Sequence, residues 1–92
     1  MAKYRIVKKD DEYVIELSMR DGVLFFGSKR WIEACIYNFD RDIIDDHTKY
    51  TKLAFKNEED ANFVYKYLCE NNFLSNDCID IIFKNNAVYR TV

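Results

Sequence analysis

Alternation of apolar and polar side chains near the start of the chain constrains the fold more than any other feature. With a two-residue turn at residues 10–11, Ile6 faces Ile15 on one side of the resulting hairpin, and Arg5 faces Glu16 on the other. A shift of one residue would invert every side chain, so the agreement of both faces predicts this register. The two predicted strands are residues 4–8 and 13–19.

A second turn signal follows directly. Asp21-Gly22 stands between alternating segments, and this dipeptide is typical of a type I′ turn. The turn would place Phe26 opposite Leu17 on the inner face and leave Phe25 on the outer face. The sequence therefore predicts a three-stranded meander up to residue 27.

Apolar residues at helical spacing follow Ser28, which is a suitable N-cap. This stripe predicts a first helix, and its members are Ile32, Cys35, Ile36, Phe39 and Ile43. In the order of its predicted elements, the region 4–39 resembles the arm-binding domains of tyrosine recombinases. That family is usually basic and this chain is not, so we transfer no function from it.

The second half of the chain predicts four further elements. Residues 51–55 alternate as a strand, and Asn57 caps a second helix that ends near Asn71-Asn72. The inner stripe of this helix is Ala61, Val64, Tyr65 and Leu68. Ile79, Ile81 and Phe83 predict a fifth strand, and Asn85-Asn86 predicts a tight turn into a last strand that carries Val88 and Val92. The predicted fold is α+β, a mainly antiparallel sheet (β-β-β-α-β-α-β-β) with two helices packed on one face.

Length and composition favour one small domain over residues 1–92. The 92 residues are 49% hydrophobic and 16% aromatic, which supplies a core and argues against disorder. The net charge of −2 gives no general attraction to nucleic acid, and no segment has the length of a signal peptide or membrane span. We therefore expect a cytoplasmic protein. An excess of residues with AT-rich codons suggests a low-GC bacterium or one of its phages.

Residues with reactive side chains are few and scattered. His47, the only histidine, sits beside Asp45 and Asp46 in a polar segment, which we interpret as a solvated loop. The three cysteines form no CxxC pair, and two glycines cannot form a Gly-rich phosphate loop. The sequence therefore predicts no catalytic residues, no cofactor, no metal site and no enzymatic activity.

Exposed aromatic residues are the best candidates for binding. Phe63 and Tyr67 are one turn apart on the second helix and lie outside its inner stripe, so they either form a contact surface or are covered by another part of the chain. The outer sheet face offers Arg5, Arg20 and Phe25, which could contact single-stranded nucleic acid. Interleaved acidic residues make that face the less favoured candidate.

These observations lead to a hypothesis of a small non-enzymatic binding protein that docks on a protein partner. A phage or mobile-element accessory protein that inhibits a host macromolecule, such as an anti-CRISPR or other anti-defence inhibitor, is one concrete form. The alternatives are a nucleic-acid-binding regulatory module and an immunity or antitoxin-like protein. A homodimer through a sheet edge is compatible with each of them.

Overall fold

The N-terminal hairpin is the frame on which the rest of the chain packs. In the computed structural model, which describes residues 3–20 and 29–86, strand β1 (Tyr4–Lys9) pairs in the antiparallel direction with strand β2 (Glu12–Arg20). Arg5 faces Glu16 in this pairing, which confirms the predicted register. Asp10 adopts a φ of 55°, the left-handed conformation that such a turn requires and that Asp tolerates.

Two further strands share the second edge of β2. Strand β3 (Lys29–Glu33) pairs with the last part of β2, and strand β4 (Ala54–Phe55) pairs with its first part. Both run antiparallel to β2, so they lie end to end along one edge. At their junction Ile15 donates its N–H to the carbonyl of Leu53 and accepts a hydrogen bond from the N–H of Ala34, each at 3.0 Å.

Helices occupy the intervals between and after these strands. A 3-10 helix (Ile36–Asn38) and the short helix α1 (Asp46–Lys49) lie between β3 and β4. Helix α2 (Glu58–Asn71) and helix α3 (Asn76–Asn85) follow β4. Asn57 caps α2 as predicted, because its Oδ1 accepts a hydrogen bond from the N–H of Asp60 at 2.8 Å.

One hydrophobic core lies between the inner face of the sheet and the two long helices. The inner face contributes Ile15 and Phe55, α2 contributes its predicted stripe, and α3 contributes Cys78 and Ile82. The predicted class, an α+β fold with a mainly antiparallel sheet and two helices packed on one face, is therefore confirmed. The order β-β-β-α-β-α also holds through α2. Some of these elements, however, are formed by segments other than the predicted ones.

The helix predicted after Ser28 is the first such difference. Residues 29–33 form β3, and only residues 36–38 of the predicted helix are helical, as a single 3-10 turn. The edge of β2 explains the change, since it offers backbone donors and acceptors that the segment 29–33 satisfies by pairing. The spacing of apolar residues in the sequence gives no information about this competition between helix formation and pairing with β2. In this pairing Leu17 lies opposite Ile32, so the predicted placement of Phe26 opposite Leu17 is wrong. The Asp21-Gly22 turn and residues 23–27, which were predicted as the third strand, lie outside the described residues.

The predicted fifth strand is a helix. Ser75 accepts a hydrogen bond from the N–H of Cys78 at 3.1 Å and so caps α3, where the sequence predicted a polar turn before a strand. The alternating residues Ile79, Ile81 and Phe83 remain partly exposed, whereas Cys78 and Ile82, four residues apart, are buried. A short apolar segment is compatible both with the two-residue period of a strand and with the 3.6-residue period of a helix, and the Ser75 cap favours the helix.

Asn85-Asn86 is correspondingly not a hairpin turn. Asn86 follows the last residue of α3 and is 8% exposed. Its Nδ2 donates to the carbonyl oxygens of Ile82 at 2.8 Å and of Lys52 and Ala54 at 3.3 Å. The Oδ1 of Asn85 accepts a hydrogen bond from the N–H of Lys56, the residue after β4, at 2.8 Å. Both asparagines therefore attach the end of α3 to the β4 segment. The predicted last strand, with Val88 and Val92, lies outside the described residues.

Candidate functional site

Helix α2 has two opposite faces of different character. The stripe that packs on the sheet consists of Ala61, Val64 and Leu68, all at 0% exposure. Successive residues are about 100° apart around a helix, so positions 59, 63, 66 and 70 lie on the opposite side. The residues there are Glu59, Phe63, Lys66 and Glu70, and all four are exposed. An aromatic ring therefore stands near the centre of the solvent-facing side.

Three aromatic residues form a surface along this side of α2, which we call the aromatic face and define as Phe63, Tyr67 and Phe73. Phe63 and Phe73 are each 48% exposed. Tyr67 is partly buried against the core, and its ring contacts that of Phe73 edge to face with centroids 5.5 Å apart. The predicted pair thus divides into an exposed Phe63 and a half-buried Tyr67.

Phe73 is the member that the sequence analysis missed. Asn72 ends α2 in the left-handed conformation, with a φ of 62°, and donates its N–H to the carbonyl of Leu68 at 2.8 Å. A helix that ends in this way commonly returns the next apolar residue to its last turns. Asn71-Asn72 followed by Phe73 carried that signal. The chain reversal brings Phe73 back onto Tyr67 and extends the aromatic face past the end of the helix.

The second candidate surface, the outer face of the sheet, is occupied by internal ion pairs. Arg5 contacts Oε1 of Glu16 through Nε at 2.8 Å and Nη2 at 2.7 Å, and its guanidinium lies 4.2 Å from the ring centroid of Trp31. Lys9 contacts Glu16 at 2.9 Å and Glu33 at 2.8 Å. Each of these cations therefore already has an acidic partner. The side chain of Arg20 and all of Phe25 lie outside what the structure describes.

The same ion pairs shift the pKa values of their carboxyl groups. Hydrogen bonds from Lys52 and then Lys9 lower the pKa of Glu33 to about 2. Those from Lys9 and Arg5 lower the pKa of Glu16, even though its burial acts in the opposite direction. Both carboxylates stay charged at neutral pH. The face consequently presents balanced charge rather than a basic surface.

A cleft of about 740 Å³ lies between the 46–57 segment, the first turn of α2 and the end of α3. Its charged lining is balanced, with Lys52, Lys56 and Lys84 against Glu12, Asp46 and Asp60. Asp60 contacts Lys84 at 3.3 Å and Asn85 at 3.0 Å, and the hydrogen bond from Asn85 is the main cause of its lowered pKa. The lining therefore favours neither anions nor cations.

His47 lies on this cleft and is exposed, as the loop interpretation predicted, although it belongs to α1. Among residues 3–20 and 29–86, no three His, Cys, Asp or Glu side chains are grouped closely enough to hold a metal ion. Cys35 is partly buried, Cys69 is exposed and Cys78 is buried, and all three are free thiols.

Two further observations bear on the class of protein. None of the helices in the described part of the chain is both long and apolar enough to cross a membrane. Comparison with protein-family models, with curated proteins and with solved structures finds no match for this chain. Two of the exposed large apolar residues in the described part of the chain, Phe63 and Phe73, belong to the aromatic face of α2, and the other two, Ile44 and Tyr50, lie in or beside α1.

Proposed function

We propose that this chain is a non-enzymatic binding protein that docks on another protein through the aromatic face of α2. The observation that carries the proposal is the position of Phe63, which is 48% exposed on the side of the helix opposite the buried stripe. About half of the Phe63 side chain is open to solvent, and the residue does not belong to the hydrophobic core. Rigid aromatic side chains of this kind dominate the binding energy of many protein interfaces.

A protein partner is favoured over nucleic acid by the charges around this surface. The exposed side of α2 carries Glu59 and Glu70 against Lys66, and its first turn is entirely acidic. Phosphate groups would be repelled there. On the outer sheet face the cations Arg5 and Lys9 are already engaged by carboxylates, so that surface offers little free positive charge.

We further propose that docking modulates the partner, as a phage or mobile-element inhibitor of a host enzyme would do in the cytoplasm. An immunity or antitoxin-like protein would use the same surface in the same way. The composition supports this setting, since residues with AT-rich codons greatly outnumber those with GC-rich codons.

The test is capture of a partner by matched variants of the immobilised full chain from extracts of low-GC bacteria. Phe63→Ala removes the exposed ring without touching the core, and Phe73→Ala removes the far end of the surface. Tyr50→Ala is the control, because Tyr50 is 61% exposed but lies on the cleft rather than on α2. We expect the wild type and Tyr50→Ala to capture the same protein, and Phe63→Ala to lose it. Undiminished capture by Phe63→Ala would rule out this surface.

A further inference from the structure

We propose that the exposed side of α2 also binds a second copy of this chain, as an antiparallel helix pair with its two-fold axis at Phe63. In a two-fold dimer the same surface serves on both copies, so it must be complementary to itself. The solvent-facing stripe of α2 meets this requirement in both its apolar centre and its charges.

The stripe has a definite spacing along the helix. With a rise of about 1.5 Å per residue, Glu59 lies about 6 Å before Phe63, and Lys66 lies about 4.5 Å after it. Lys66 is the only exposed cation of the stripe, and Glu59 is the acid on the other side of the ring. Opposite charges therefore stand at nearly equal distances on either side of Phe63.

An antiparallel pair centred on Phe63 uses this spacing. The two Phe63 rings meet at the axis, and Glu59 of each copy comes within about 1.5 Å, along the helix, of the level of Lys66 in the other. Two symmetric ion pairs then flank an aromatic contact. A parallel pair would instead place like charges together, and a pair centred between Phe63 and Lys66 would place Glu59 against Glu70. A pair centred at the level of residue 68 would also set Lys66 against Glu70, but it would separate the two Phe63 rings by about 15 Å along the helix. The arrangement centred on Phe63 is the one that joins matched charges to contact between the two exposed rings.

The size of the contact predicts a weak dimer. One face of a single helix buries an area near the low end of specific interfaces, below about 1,200 Å² in total. We therefore expect monomers at concentrations of about 10 μM and dimers toward 1 mM. Because the dimer covers Phe63, self-association would compete with docking. That competition rests on the proposed function, whereas the self-association does not.

Sedimentation equilibrium of the purified full chain between about 10 μM and 1 mM tests the dimer. Phe63→Ala should weaken self-association about tenfold or more, since it removes the central contact. Glu59→Lys and Lys66→Glu should each weaken it as well, by placing like charges together. The combination of both substitutions restores the two ion pairs with reversed polarity and should restore the dimer. Glu58→Lys is the matched control, because it changes the charge by the same amount as Glu59→Lys, in the same helical turn but outside the stripe.

Three results would overturn the proposal: a monomer throughout the concentration range, a double charge reversal that fails to restore association, or a dimer that Phe63→Ala leaves unchanged. The last result would indicate another interface, such as the edge of β1 that does not face β2. Circular dichroism of each variant establishes that α2 is retained. Failure of the dimer leaves the docking test intact, because capture of a different protein does not require self-association.

Discussion

Glu33 accepts a hydrogen bond from the ammonium group of Lys52 at 2.6 Å, and this contact joins the end of β3 to the segment just before β4. The other carboxylate oxygen of Glu33 accepts from Lys9 on β1 at 2.8 Å. One carboxylate therefore links both edges of the sheet across the outer face. Protonation of Glu33 at low pH removes the negative charge on which both contacts depend.

We expect the protein to lose stability as the pH falls from about 4.5 to about 2, and Glu33 to contribute to that loss. The pKa of Glu33 is near 2 in the folded state and 4.5 in its absence, so its stabilising effect is complete above pH 4.5 and is lost as the pH falls through the folded value. Glu33→Gln should reduce the loss of unfolding free energy between pH 4.5 and 2 by about 1 kcal/mol, a small effect because the group is partly exposed and screened by solvent. Urea unfolding at several pH values, followed by the fluorescence of Trp31, measures it. An unchanged slope in Glu33→Gln would contradict the assignment.

Removal of the buried carboxylate of Glu16 should lower the free energy of unfolding by about 1–2 kcal/mol at neutral pH. Its side chain is 7% exposed, while its partners Arg5 and Lys9 are 47% and 41% exposed and can regain water. Glu16→Ala tests this by urea unfolding. Glu12→Ala is the control, because Glu12 forms no ion pair with any residue that the structure describes. Equal effects of the two substitutions would mean that the ion pairs contribute nothing.

Asn86→Ala should destabilise the fold by about 2 kcal/mol, because it removes the amide that contacts the buried carbonyl of Ala54 and the partly buried carbonyl of Lys52. Asn62→Ala, on the exposed part of α2, should change stability by less than about 0.5 kcal/mol. Thermal unfolding by circular dichroism compares the two. A small effect of Asn86→Ala would argue against the attachment of α3 to β4.

Ile82→Ala and Ile79→Ala distinguish the helix α3 from the strand that the sequence predicted. Ile82 is fully buried and Ile79 is partly exposed, so we expect a loss of about 3 kcal/mol for the first and about 1 kcal/mol for the second. A strand with Ile79 on its inner face would give the reverse order. Denaturant unfolding of both variants decides between the two structures.

The parts of the fold that the sequence predicts correctly are those in which several local signals agree. For the hairpin, the apolar face and the Arg5–Glu16 pair specify the same register. For α2, the Asn57 cap, the acidic first turn and the buried stripe define the same helix. Such redundancy makes the local prediction reliable, because no single tertiary contact can reverse it.

The remaining elements depend on contacts between distant segments. Residues 29–33 carry part of a helical stripe, yet they become a strand because the edge of β2 is available to them. Ile79 and Phe83 alternate like a strand, yet the Ser75 cap and burial against α2 and β4 make the segment helical. Of the candidate site, Phe63 follows from periodicity. Phe73 requires knowledge of how the chain turns at Asn72.

The shared edge of β2 has a consequence for how this chain could diversify. Because Ala34 and Leu53 are hydrogen-bonded to each other at 3.0 Å, the segment between them leaves and re-enters the sheet at one place. Closure of such a segment costs little more when it is lengthened. Ile43 packs against the core, whereas residues 44–50 are mostly exposed, so we expect this shorter segment to accept sequences of another length while the sheet continues past it. This segment between β3 and β4 is therefore the place where a different recognition loop could be inserted while the sheet stays unchanged.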